Sequence, residues 1–407
     1  MRQQIYFCGE NSEMNKKKIL LLGTSSSRNA GGLYNSVRNL GQQLTRDNVV
    51  ETAIMAFHDE FSEEDNQNYA PLRLIEYNIK GPAGIAFTMD LKEKMEEFHP
   101  DLVHTQGIWL YTSHVNTKYC KTHNVPYMIS PRGMLDPWIL SQRSWKKKLG
   151  LFLYEQNHID NSACINALAM SEYKAIRDFG YKKPIAVIPN GVYLPTENPP
   201  SETALPWEED GRKSLLFLSR LHVKKGIENL LVAWSKLGRE EKQDWKLIVA
   251  GEPHDAVYKQ KLNEMLAQFQ LEKDVFFIGN QAGAGKDITF RSVDAFTLPS
   301  YSEGMPMSVL EAWSYKLPVL MTEFCNIPEG FEEKAALKME PSVESTANGL
   351  KELFSLSDEE RKTIGQNGLN LVEKKFTWET IASQMTEVYD WILNDKQSET
   401  PSTVILN

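Results

Sequence analysis

What most constrains this chain is an alternation that runs through it twice. Short apolar runs of strand length take turns with segments whose apolar residues recur at helical spacing. KKKILLLG (16–23) is the first such run, and the segment after it sets Leu33, Val37, Leu40 and Leu44 on one helical face. Further strands are predicted at 51–57, 72–77, 101–105 (DLVHT), 126–130 (PYMIS), 163–167 and 185–189, with helices at 85–98, 112–122, 146–158 and 171–179. A second series places strands at 214–219 (SLLFLS), 246–250 (KLIVA), 275–278, 295–299 and 318–322, and helices at 226–237, 255–270, 286–292, 307–315, 343–355 and 358–372. Strands that are apolar throughout and separated by helices belong to parallel sheets covered on both faces. The class is therefore α/β: two doubly wound, Rossmann-like domains facing a cleft.

PNGVYLPTENPPSETALPWEEDG (189–211), rich in Pro, Gly and acids, reads as the connection between them. The domains are expected over 16–189 and 190–376, with loose ends at 1–15 and 395–407. Residues 377–394 read as a last amphipathic helix with Trp378, Ile381, Met385, Val388, Trp391 and Ile392 in one stripe. A length of 407 residues suits two cores. Residues 1–190 hold 22 Lys and Arg against 20 Asp and Glu, and residues 191–407 hold 23 against 34, so the net charge of −9 sits in the second half. That acidity argues against nucleic acid as the partner. Cys8, Cys120, Cys164 and Cys325 form no CxxC pair, which speaks against a disulfide framework or a zinc site. No apolar run approaches the roughly 20 residues that span a bilayer, and MRQQIYFCGENSEMN lacks a signal-peptide core. A cytoplasmic location is expected.

The chemistry concentrates in PSYSEGMPMSVLEAWSYKLPVLMT (299–322), which reads as strand end, loop, helix and strand. Pro306 suits a first helical turn, where no backbone donor is needed. The helix therefore starts near Met305 to Ser308, and its free amides and positive dipole end make a seat for an anion. Glu311 lies about one turn, roughly 5 Å, further on. That offset suits a carboxylate gripping a diol while a phosphate sits at the helix tip. Glu303, on the loop before the helix, can face what lies beyond the phosphate. Ribose, pyrophosphate and sugar come in that order in a sugar nucleotide. In SRLHVKKG, Arg220 and Lys225 follow the first strand of the second series and precede a helix. In doubly wound sheets ligands bind there, and Arg offers a planar fork for phosphate oxygens while Lys offers a point charge. In the first series, Gly31 and Gly32 at a strand-to-helix turn let a ligand approach the backbone. His104 (HTQG) and Arg132 (SPRG) sit at two strand ends.

The RLxxxKG run, the PNGV connection, the E-x7-E spacing of PSYSEGMPMSVLEAW and the doubled alternation together resemble glycosyltransferase family 4, over roughly residues 18–394. The resemblance implies the GT-B fold and a retaining, nucleotide-sugar-dependent transferase of hexosyltransferase type. By that likeness Arg220 and Lys225 neutralise the donor pyrophosphate, Glu311 holds the ribose hydroxyls, and Glu303 with the backbone of Gly304, Met305, Pro306 and Met307 contacts the sugar and phosphates. Gly31 and Gly32 lie against donor or acceptor, and the last helix crosses back onto the first domain. The co-substrate is a UDP- or GDP-linked sugar with no further cofactor. The acceptor is a glycan or lipid-linked saccharide, in cell-surface polysaccharide synthesis. Where many members carry a His, this chain has Arg132. Arginine does not deprotonate, so its expected part is to steady the departing diphosphate or orient the sugar. His104 remains either a proton-handling or acceptor contact or a hydrogen-bonded histidine at a strand end.

The chain contains no Asp-x-Asp, the cation-holding pair of sugar-nucleotide enzymes of the other major fold, so no metal is expected. GAGK (283–286) invites a P-loop comparison and fails it, with Asn280 and Asp287 where the motif needs Gly and Ser or Thr. SWKKKLGLFLYEQ (144–156) mixes basic and aromatic residues. It reads either as a contact with anionic lipid on the inner face of a membrane or as a core-facing stripe with solvated lysines. Two other functions share the architecture: a nucleotide-sugar epimerase, and a two-lobed binding protein for a small ligand. The paired motifs speak against the first, and the charged phosphate seat against the second.

Overall fold

The structure, a computed structural model, describes residues 16–135, 154–197, 205, 207, 210–242 and 244–406. The first half supplies parallel strands β1 (Lys18–Ser25), β2 (Glu51–Phe57), β3 (Arg73–Tyr77), β4 (Leu102–Gln106), β5 (Tyr127–Ser130), β6 (Cys164–Ala167) and β7 (Ile185–Val187). The second supplies β8 (Lys213–Leu218), β9 (Trp245–Ala250), β10 (Val275–Phe277), β11 (Ala295–Leu298), β12 (Val319–Thr322) and β13 (Ala336–Met339), also parallel. A short strand near the end, β14 (Val404–Ile405), pairs antiparallel with β7.

The spatial orders are β14-β7-β6-β5-β4-β1-β2-β3 and β10-β9-β8-β11-β12-β13. Each order reverses once, between β1 and β4 and between β8 and β11. Those are the points where loops part above the strand ends and a crevice forms. The inner strands are buried along nearly their whole length, Ile19 to Leu22 at 0–3% exposure. Apolar helix faces cover the sheets. Val37, Leu40 and Leu44 of the first helix (Gly32–Asp47) pack with Ile381, Met385, Val388 and Ile392 of the last (Trp378–Leu393) on the first sheet. The final helix thus joins the core of the first domain.

Three differences from the sequence reading have physical causes. The helix expected over 85–98 begins at Leu91, because Lys80 N–H donates to Phe87 O at 2.7 Å in a short antiparallel bridge before it. Strand β13 has mostly half-exposed side chains, as an edge strand does, and shows no apolar run to read. The segment expected as a loose tail is instead pinned, since Val187 N–H donates to Thr403 O at 2.8 Å and β14 extends the sheet. The 1–15 extension and most of the 144–156 basic and aromatic segment lie outside the described residues.

Candidate active site

The second domain's switch point gathers the cations. Arg220 follows β8, is exposed, and has no carboxylate paired with it among the described residues. Gly226 closes the same turn at φ 72°, and a Cβ there would stand 2.0 Å from Pro299 O. Only glycine lets this turn press against the loop that leaves β11. Tyr301 N–H donates to Lys224 O at 2.8 Å across that contact. The approach sets Lys225 Nζ 2.6 Å from Glu303 Oε2, while Ser300 Oγ donates to Glu303 Oε1 at 2.6 Å. Asn326 Nδ2 holds the Glu303 carbonyl, and Glu303 N–H donates to Phe324 O at 3.0 Å. Glu303 is thereby fixed through side chain and backbone alike.

The loop Gly304–Pro306 leads into the helix Met307–Ser314, which starts with no side-chain cap on Pro306. Its first amides therefore have no local side-chain acceptor. Glu311 lies on this helix, and Lys286 Nζ sits 2.5 Å from its Oε1. Both side chains open on a cavity of about 470 Å³ between the two sheets, walled by Gly32, Asn35 and Asn39 on one side and Gln281, Glu311 and Tyr315 on the other. Gln281 also borders a second hollow of about 470 Å³ that Arg220 lines, so the two open side by side. Gly31 has φ 60° and open space where a side chain would point. The turn thus adds no side chain of its own beside Gly32 on the cavity wall.

The first domain's candidates part ways. Arg132 adopts φ 57° beyond β5, where Gly133 N–H donates to Glu172 Oε1 at 2.5 Å. Its guanidinium donates to Gln106 Oε1 at 2.6 and 3.0 Å and to Asn190 Oδ1 at 2.5 Å. Burial pushes it down to about 10, so it stays charged at neutral pH. Asn190 N–H in turn faces Met305 Sδ at 3.4 Å, which places Arg132 one residue away from the anion-seat loop. His104 has a different place. It is 0% exposed, with Nδ1 hydrogen-bonded to Tyr389 Oη at 2.7 Å and Nε2 to Ser130 Oγ at 2.8 Å. Burial, then the Arg132 charge, pushes it down to about 3. Both nitrogens are engaged and the ring has no exposed surface, an arrangement that fits the hydrogen-bonded histidine of the two sequence readings.

Lys286 is the residue that sequence reasoning passed over. GAGK is no P-loop, but its helix (Gly283–Arg291) turns the lysine toward Glu311. The only sequence signal was a cation in the first turn of a helix after a strand end. No group of three or more His, Cys, Asp or Glu placed to hold a metal occurs among the described residues.

Two crevices at the carboxyl ends of parallel sheets, facing one another across a cation-lined cleft, define a GT-B glycosyltransferase fold. A solved structure of Anabaena HepE in complex with UDP and glucose matches it with a TM-score of 0.70 at 17% identity, over 92% of this chain and 99% of that one. Family models agree on both halves: Glycosyltransferase Family 4 over residues 30–194 and Glycosyl transferases group 1 over residues 206–371. The chain belongs to glycosyltransferase family 4. Among its relatives is one component of the human phosphatidylinositol N-acetylglucosaminyltransferase, 25% identical over 71% of this chain and 57% of that one. Another is the alpha-monoglucosyldiacylglycerol synthase of Streptococcus pneumoniae, 25% identical over 56% and 53%. The chain spans about half the length of these curated relatives.

Proposed function

We propose that the protein is a retaining, metal-independent glycosyltransferase that moves a sugar from a UDP- or GDP-linked donor to a glycan or lipid-linked saccharide. The observation that carries this reading is the set of cations at the β8/β11 switch point, Arg220 without a carboxylate partner among the described residues and Lys225 held on Glu303, beside a cavity containing Glu311. When the bond from sugar to diphosphate breaks, negative charge grows on the leaving diphosphate. Donors fixed in advance around it are usually the largest catalytic contribution. Arg220, Lys225 and the backbone amides of Gly304, Met305, Met307 and Ser308 have that part, and these cations take the place of a metal. Glu311 receives the ribose hydroxyls. Glu303, released in part as Lys225 turns to phosphate, faces the sugar. Arg132 steadies the anion-seat loop through Asn190. Closure of the cleft keeps water from taking the sugar in place of the acceptor. Family membership supports retention. The names of the two lipid-modifying relatives support a lipid-linked acceptor, with residues 144–156 as the membrane contact. No helix among the described residues is long and apolar enough to cross a bilayer.

Thermal unfolding with a panel of nucleoside diphosphates and their sugars tests the donor site, since a ligand of the folded state raises the midpoint. UDP or GDP compounds are expected to shift it by several degrees, equally with EDTA present, and Glu311→Ala to remove most of the shift. A shift that needs added divalent metal would refute the metal-free site.

A further inference from the structure

The Lys286–Glu311 pair is neither a surface ion pair nor a sealed one. The two side chains are 29% and 24% exposed, and both face the same cavity. Lysine carries three N–H donors, of which Glu311 Oε1 takes one. The other carboxylate oxygen, Oε2, has no hydrogen-bond partner among the described residues. The two helices do not need this pair to stay together. Tyr315 Oη donates to Asp287, and the Phe290 and Tyr315 rings stack with centroids 5.1 Å apart at 13°.

We propose that Lys286 is a positioning residue of the nucleotide pocket: it orients Glu311 toward the ribose diol and donates to a ribose oxygen itself. The inference rests on the donor reading given above. A carboxylate placed about one helical turn from a diphosphate is repelled by it. A cation clamped on that carboxylate offsets the repulsion and holds one rotamer. Each ribose hydroxyl both donates and accepts. Glu311 Oε2 can take the donated hydrogens, and only a neighbouring donor such as Lys286 can satisfy a hydroxyl lone pair. Acid and base together therefore read a ribose hydroxyl more completely than the acid alone, and they favour a ribonucleotide over its deoxy counterpart.

Calorimetric titration of the full chain with UDP and GDP, each beside its 2′,3′-dideoxy form, tests this. Lys286→Met is expected to weaken binding of the ribonucleotide about tenfold, in line with the loss of a charge-assisted hydrogen bond, and to weaken dideoxy binding clearly less, by the lost offset to the Glu311–diphosphate repulsion alone. Lys286→Arg is expected to recover part of the loss. Unfolding of Lys286→Met without nucleotide is expected to match wild type, which separates the effect from misfolding. Equal affinity in wild type and Lys286→Met, or the same loss for ribo and dideoxy forms, overturns the lysine's role alone. If the wild type binds no nucleoside diphosphate, the donor reading falls and this role with it.

Discussion

At the scale of single residues, Glu303 is the acid whose surroundings decide most. Its side chain is 7% exposed and lies 2.6 Å from Lys225, which is 20% exposed. Taking one partner of such a pair away leaves the other polar group short of water and short of a partner. Lys225→Met removes the cation and leaves the acid behind, so a loss of roughly 2 kcal/mol in urea unfolding is expected, below the range for a fully sealed pair. Adding Glu303→Gln should restore most of that loss, and a double variant as unstable as the single would show that the pair is not coupled. Arg220, Lys225, Glu303 and Glu311 can be placed from sequence because each stands at a short, fixed offset from a strand end or a helix start. Lys286 cannot: it meets Glu311 across 25 residues and two helices, and nothing local in GAGK points to a carboxylate. His104 is ambiguous for the same reason. HTQG is the same string whether the ring faces solvent or Tyr389, which lies 285 residues on.

At the scale of elements, the final helix shows which part of a fold is written locally. Its stripe of Trp378, Ile381, Met385, Val388, Trp391 and Ile392 is legible from a period of 3.6, and all six are buried against the first domain. The polar tie inside that apolar interface is not legible, because period says nothing about which hydroxyl meets which ring. The tie has a measurable consequence. His104, and His158 with Nδ1 2.9 Å from Thr117 Oγ1, are both buried, and burial lowers each from 6.5 to about 3. An unfolded chain protonates both near the ordinary value, whereas the folded chain protonates them only far below it. The stability from neutral rings is thus fully present above pH 6.5 and is lost as pH falls toward 3. Between pH 7 and 5.5, above the carboxylate range, urea unfolding should report a loss of roughly 2 kcal/mol for the two rings together. A flat profile over that window would contradict their burial as neutral groups.

At the scale of the whole molecule, the chain passes between its domains twice, and the two passages hold each other. Val192 N–H donates to Phe376 O at 2.8 Å, and Trp378 N–H to Val192 O at 3.2 Å. Both passages border the cavity that contains Glu311, through Gly191, Val192 and Trp378. The two passages therefore lie directly behind the cavity that contains Glu311, and a closing motion of the cleft, as proposed above, would turn on how closely they approach. Gly191 sets that distance. A Cβ at this position would stand 2.8–2.9 Å from the Trp378 ring, Cα and N, closer than such atoms come, and Trp378 is 1% exposed with nowhere to retreat. Gly191→Ala must push the passages apart, even though its backbone angles suit any residue. Glu311 and Arg220 remain in place within the second domain, so nucleotide diphosphate should still bind, with an affinity within a few-fold of wild type. Transfer depends on the two walls meeting, so turnover should fall about tenfold or more, as small misplacements of reacting groups do. Small-angle scattering with and without UDP checks the cause. Wild type is expected to contract on binding and Gly191→Ala to contract less. A variant that binds, contracts and turns over like wild type would place the closing motion elsewhere.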